Sequence, residues 1–99
     1  MFSSLKSILP KLVAMDKATF NKVFGEFVRD KRIGLKLSQA QLGDKMELDF
    51  QYISRVERGL ISPTLFWIIG LATALEMSLE GFIIELSDYS GLETATIKA

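Results

Sequence analysis

The 22 residues from Ser38 to Gly59, SQAQLGDKMELDFQYISRVERG, hold two helix starts and a helix stop in a very short span. Ser38 suits an N-cap. Gln41, three residues on, completes a capping-box pattern in which each side chain accepts from the other's backbone N–H. Leu42 and Met46 then share a helical face. Asp49 is a second N-cap, and Ile53 and Val56 share a face of the helix it opens. Gly59 stops that helix, because glycine takes left-handed backbone without a Cβ penalty. Two short helices joined by a tight turn are expected here, and the flanking chain must supply the surfaces they pack on.

Composition narrows the chemistry. The 99 residues include no Cys and no His. A disulfide framework, a thiol nucleophile, a zinc site and a His-based triad therefore lack their parts, and neither a metal nor a cofactor is expected. A chain without Cys fits a reducing setting, and the cytoplasm is the expected location. No apolar run reaches membrane-spanning length. The formal net charge is zero, but it is unevenly placed. Residues 1–45 carry nine basic and four acidic side chains, a net +5, and residues 46–99 carry three basic and eight acidic ones, a net −5. The basic half covers the approach to the Ser38–Gly59 stretch.

The remaining chain reads as helices of one domain. Residues 1–15 form an amphipathic extension with Phe2, Leu5, Ile8, Leu9, Leu12 and Val13, interrupted by Pro10 and Lys11. It resembles a targeting peptide only loosely, since no small-residue cleavage site follows. Asp16 or Thr19 caps a helix whose stripe is Phe20, Val23, Phe24, Phe27, Val28 and Ile33. Gly34–Lys36 ends it, and Leu37 turns inward. After Gly59, Ser62 or Thr64 caps a helix running to about Glu76. Its expected inward face is Leu65, Ile68, Leu71, Ala72 and Leu75, though it is apolar nearly all round. Ser78 caps a last helix through Leu79, Phe82, Ile83, Ile84 and Leu86. Residues 87–99 read as a polar C-terminal tail. The expected domain is thus 16–86, all-α and five-helical.

These residues carry a family resemblance. Arg32, Leu37-Ser38-Gln39, Leu42, Asp49, Tyr52-Ile53-Ser54, Val56-Glu57-Arg58-Gly59, Ser62-Pro63 and Leu71-Ala72-x-Ala74-Leu75 stand at the spacing of the lambda-repressor-like helix-turn-helix family, the Cro/repressor or Xre type. The likeness covers about residues 20–86. Within the family, the compact form and the DFQYISRVER run resemble the controller proteins of restriction–modification systems. The resemblance implies an all-α domain that binds double-stranded DNA, acts as a transcriptional regulator and is not an enzyme. It also implies that Arg32 and Glu57 form a structural ion pair.

Under that resemblance the helix at about Phe50–Arg58 enters the major groove. Gln51 can pair with the N6/N7 edge of adenine, and Arg55 with guanine O6 and N7 or with a phosphate. Tyr52 and Ser54 bring hydroxyls for base or phosphate. Phe50 stands where the family has a polar residue, and either touches a thymine methyl or covers apolar surface. Gln39, Arg58, Ser62 and Thr64 are further candidates for contact with DNA, Gln39 also as a brace. Two departures stand out: Glu47 replaces a turn glycine, and Gly43 replaces a packed Ala.

The apolar surplus after Pro63 points to a partner. Phe66, Trp67, Phe82, Ile83 and Leu86 are the expected dimer interface, and a homodimer would set two reading helices on a palindromic operator. A contact with RNA polymerase is left open. The subtypes are a restriction–modification controller, a phage-type repressor and an antitoxin autoregulator. The alternative from another class is a protein-interaction module that has lost DNA binding, which zero net charge and Phe50 favour.

Overall fold

The computed structural model describes residues 15–98, with side chains described through Tyr89. Of the expected extension at 1–15, residues 1–14 lie outside the described residues, and Met15 is buried. Five helices follow: α1 (Lys17–Gly34), α2 (Gln39–Met46), α3 (Phe50–Glu57), α4 (Leu65–Ala74) and α5 (Leu79–Lys98). No strand occurs among the described residues.

Each helix start is fixed by a short polar side chain. Asp16 Oδ1 accepts from the Thr19 N–H at 2.7 Å, and this bond holds its carboxyl below the usual range. Ser38 and Gln41 form the reciprocal capping box, at 3.0 and 2.8 Å. Asp49 caps α3 through the Gln51 N–H at 2.8 Å. Thr64, rather than Ser62, caps α4 through the Trp67 N–H at 3.2 Å.

The helix ends share one device. Lys36, Glu47, Gly59 and Glu76 all have positive φ, between 56° and 74°. The next residue, Leu37, Leu48, Leu60 or Met77, sends its N–H back to a carbonyl five residues earlier, at 2.8–3.1 Å. This is the Schellman closure, which satisfies carbonyls that a helix end leaves open. Only Gly59 takes the left-handed position without a Cβ. The other three each carry a strain of about 1–2 kcal/mol. Gly34, expected as part of the first stop, is the last helical residue, and the left-handed turn falls on Lys36. Gly43 is explained by the turn after α2: a Cβ there would lie 2.6 Å from the Leu48 carbonyl oxygen.

The core draws on every helix. Phe24, Phe27 and Val28 of α1 meet Leu42, Ile53, Val56, Leu71, Phe82 and Leu86, all at most 2% exposed. Phe27 and Phe82 pack edge-on with centroids 5.1 Å apart, and such pairs add about 0.5–1.5 kcal/mol beyond burial. The Lys31–Glu85 ion pair and the Tyr89–Asp30 hydrogen bond, at 2.8 Å, tie α5 across α1.

Several expectations are corrected here. Leu65 is 66% exposed, while Trp67 is 8% exposed and takes the inward place. In an apolar helix periodicity cannot set the phase; the Thr64 cap sets it, turning Trp67, Leu71, Ala74 and Leu75 to the core. Of the five residues expected at a dimer interface, Trp67, Phe82 and Leu86 are buried in this chain's own core and offer little or no surface to a partner. Phe66, 87% exposed, and half-buried Ile83 remain. The last helix does not stop at 86 but runs to Lys98. Phe82, Leu86 and Tyr89 continue one face, and Tyr89 packs on Phe27 at 5.6 Å. Polar Ser87 and Asp88 hide that continuation in the sequence.

No single helix among the described residues is long and apolar enough to cross a membrane. Helices α4 and α5 pass such a test only as a pair bent by 95°, and their inward residues form the core just described.

Candidate nucleic-acid interface

Helix α3, eight residues long, is held from behind at several points. Ile53 and Val56 are buried in the core. Gly25 of α1 lies so close that a Cβ there would be 2.4 Å from the Val56 carbonyl oxygen and 2.6 Å from that of Glu57. Glu57, at the last turn, is gripped by Arg32: Nε donates to Oε2 at 2.6 Å and Nη2 to Oε1 at 3.0 Å. Arg32 Nη1 donates to the Leu37 carbonyl at 2.8 Å. Gln39 Nε2 adds a bond to Glu57 Oε1 at 3.0 Å. One carboxylate thus ties α1, the start of α2 and α3 together. The side chains of the pair are 11% and 3% exposed. The bond to Glu57 raises the Arg32 pKa above its ordinary value, so the guanidinium stays charged.

The loop after α3 is clamped as well. Ser62 Oγ donates to Asn21 Oδ1 at 2.6 Å, and a Cβ on Gly59 would sit 3.1 Å from the Lys22 Cα. Asn21 and Gly25 are absent from the sequence-based expectations. Gly25 had a signal: a glycine inside a helix costs roughly 0.5–1 kcal/mol and invites a packing reason. Asn21 had a weaker one, a polar residue next to the apolar stripe that is nevertheless buried.

The outward face of α3 is Gln51, Ser54, Arg55 and Arg58, one stripe at helical spacing. Gln51, Arg55 and Arg58 are exposed, and Ser54 is half-buried between them. The Gln51 and Arg55 side chains make no hydrogen bond among the described residues. Arg58 Nε lies 3.4 Å from the Ser54 carbonyl, a weak contact. Glu57, the acid of α3, is neutralised on the other side. The remaining candidates divide. Phe50 is 51% exposed at the first helical position. Tyr52 is turned off the stripe and packs on Trp67, with ring centroids 5.1 Å apart. Gln39 is engaged with Glu57 as a brace. Ser62 and Thr64 are exposed, with hydroxyls already used toward Asn21 and the α4 cap. Among the described residues, no three His, Cys, Asp or Glu gather as a metal site.

A rigid short helix showing amide and guanidinium groups on one stripe is suited to reading an ordered array of acceptors. Comparison with known proteins agrees with that geometry. The helix-turn-helix family profile (HTH_3) matches residues 28–82, more than half of the chain. The chain belongs to the helix-turn-helix family of lambda-repressor-like DNA-binding regulators.

Solved structures align with this helix-turn-helix chain. The restriction–modification controller protein C.AhdI from Aeromonas hydrophila is 36% identical, with 62% of this chain and 92% of that chain covered and a TM-score of 0.59. An HTH_3 family transcriptional regulator from Vibrio cholerae is 20% identical over 74% of this chain and 41% of its own, with a TM-score of 0.66. The clp gene regulator ClgR from Corynebacterium glutamicum is also 20% identical, over 79% and 83%, with a TM-score of 0.69. The last two bear on the fold alone. No curated protein matches the chain in sequence.

Proposed function

We propose that the chain is a sequence-specific transcriptional regulator that binds a palindromic operator as a homodimer, with no chemistry of its own. The observation that carries this reading is the Gln51–Ser54–Arg55–Arg58 stripe on a helix fixed from behind by Arg32, Gln39 and Gly25. Fixed placement matters because phosphate contacts set register while base contacts specify sequence. Gln51 reads an adenine edge and Arg55 a guanine edge or a phosphate. Arg58, Ser62, Thr64 and the N–H groups at the start of α2 lie on phosphate. Phe50 meets a thymine methyl. Tyr52 acts through its packing on Trp67.

The subtype favoured is a restriction–modification controller. Support comes from 36% identity to C.AhdI over nearly all of that protein. Phage-type repressor and antitoxin autoregulator are the competing subtypes, and the genes beside this one discriminate among the three. The reading of a protein-interaction module without DNA binding draws on exposed Phe50 and zero net charge.

A binding titration on the chain's own upstream DNA at two salt concentrations tests the reading. With six or more phosphates contacted, affinity should fall by about 10³-fold or more between 50 and 200 mM salt. Gln51→Ala should weaken binding to upstream DNA more than to scrambled DNA. No binding to upstream DNA at low salt sinks the regulator reading and leaves the interaction module.

A further inference from the structure

The reading stripe of α3 has two flanks. Phe50 lies about 40° round the helix from Ser54 and borders the stripe on that side, while Tyr52 borders it beyond Arg55. The Tyr52 flank is closed by the ring of Trp67, with centroids 5.1 Å apart. The Phe50 flank is open. Phe50 is 51% exposed, whereas Phe24, Phe27 and Phe82 are at most 2% exposed. It belongs neither to the buried core nor to the half-buried residues packed on it. Among the described residues no other aromatic ring touches it. A phenyl ring thus stands exposed at the first position of α3, on a helix that Gly25, Arg32 and Gln39 hold in place, and the fold makes no use of it.

We propose that Phe50 reads the C5-methyl group of a pyrimidine, one in each half-site, so that thymine and 5-methylcytosine are favoured there and unmodified cytosine is not. This inference rests on the operator reading above and adds to it a dependence on the modification state of the DNA. Chemistry narrows the target. A phenyl ring neither donates nor accepts, and pressing it on an N–H or carbonyl of a base edge strips water without replacing the hydrogen bond. The C5-methyl of thymine is the apolar group of the major groove. Methylation of cytosine at C5 puts the same group on the same ring position. The phosphate chain is the wrong target, because Asp49 stands at the head of α3. Its Oδ1 already accepts the Gln51 N–H, at 2.8 Å, and a carboxylate there repels phosphate. The head of the helix is therefore left to base edges. Phe50 adjoins Gln51 in the chain, which sets its pyrimidine at or beside the pair that Gln51 reads. Ile53 and Val56, buried beneath, keep the helix from rolling the ring away. Burying one methyl raises affinity about fourfold, and about 15-fold when both half-sites of a two-fold complex carry it.

Titration of the full chain on its own upstream DNA tests this. Each thymine is replaced in turn by uracil, which keeps the hydrogen-bonding edge and lacks only the methyl, and each cytosine by 5-methylcytosine. One position per half-site should respond. A thymine there should cost about fourfold on replacement by uracil, and a cytosine there should gain about as much on methylation. Phe50→Ala should be indifferent at that position and unchanged in its response at the others, and Phe50→Leu should keep part of the dependence. Phe50 is exposed, so both variants should keep the wild-type helical circular dichroism. Upstream DNA bound by the wild-type chain with no response to any uracil or 5-methylcytosine overturns the methyl reading and leaves the operator reading standing. So does a response that Phe50→Ala shares in full, or a Phe50→Ala chain that binds as tightly as wild type, which would place Phe50 against a protein instead. No binding to upstream DNA of any kind overturns the operator reading and this inference with it.

Discussion

Glu57→Gln keeps the shape of the side chain at the junction of α1, α2 and α3 and removes its charge. Arg32 stays charged, and its side chain is only 11% exposed. Removing one partner of a buried pair costs about 3–5 kcal/mol, because the other charge is left uncompensated. The lower end applies, since Arg32 keeps the Leu37 carbonyl at 2.8 Å. About 3 kcal/mol is a large share of the roughly 5–15 kcal/mol by which native domains are stable. At about 4–8 °C per kcal/mol for a domain of this size, the melting temperature should fall by about 12–24 °C. The double variant Arg32→Met, Glu57→Met should recover most of the loss, because an apolar pair needs no desolvated charge. Thermal and urea unfolding, followed by circular dichroism, measure both. A Glu57→Gln chain within about 0.5 kcal/mol of wild type would refute the reasoning, since that is the range of ordinary surface substitutions. So would a double variant as unstable as the summed single variants.

Three further outcomes rest on the same geometry. Gly25→Ala forces a Cβ toward the Val56 and Glu57 carbonyls and should destabilise by about 1–3 kcal/mol, with a loss of DNA affinity beyond the loss of stability in the titration above. Glu47→Gly removes the Cβ from a left-handed position and should stabilise by up to about 1 kcal/mol after the entropy cost of glycine, read by the urea midpoint. The Tyr89 pKa is pushed up to about 12, first by burial and then by its hydrogen bond to Asp30. Because the folded value lies above the unfolded one near 10, the contribution of Tyr89 is full below pH 10 and is lost as pH rises toward 12. Tyr89→Phe should flatten the alkaline limb of the stability curve, and phenolate absorbance should show one tyrosine ionising late.

Much of this fold is legible in the sequence because its polar punctuation is local. Ser38, Gln41 and Asp49 act within three residues, and cap chemistry of that kind survives without tertiary information. The family spacing brings Arg32 and Glu57 together across 25 positions, which no local rule provides. What the sequence hides has physical reasons. Helix α4 is apolar on all sides, so period 3.6 gives it no phase, and Leu65 and Trp67 exchange places. Surplus apolar residues do not say which are core: Phe82 and Leu86 fill this chain's interior and leave Phe66 outside. Lys36 and Glu76 end their helices left-handed as Glu47 does, without the glycine that signals such an end. At the reading edge, helical spacing selects Gln51, Ser54, Arg55 and Arg58, and only the Trp67 contact reveals that Tyr52 faces away.

Hydroxyl-radical footprinting of the chain on its own upstream DNA tests the central claim most directly, that two copies of the α3 stripe read one operator. Two protected half-sites should appear, related by a two-fold and centred about one helical turn, roughly 34–36 Å, apart or a multiple of it. Protection that is absent at low salt, or confined to one half-site at saturating protein, would contradict it.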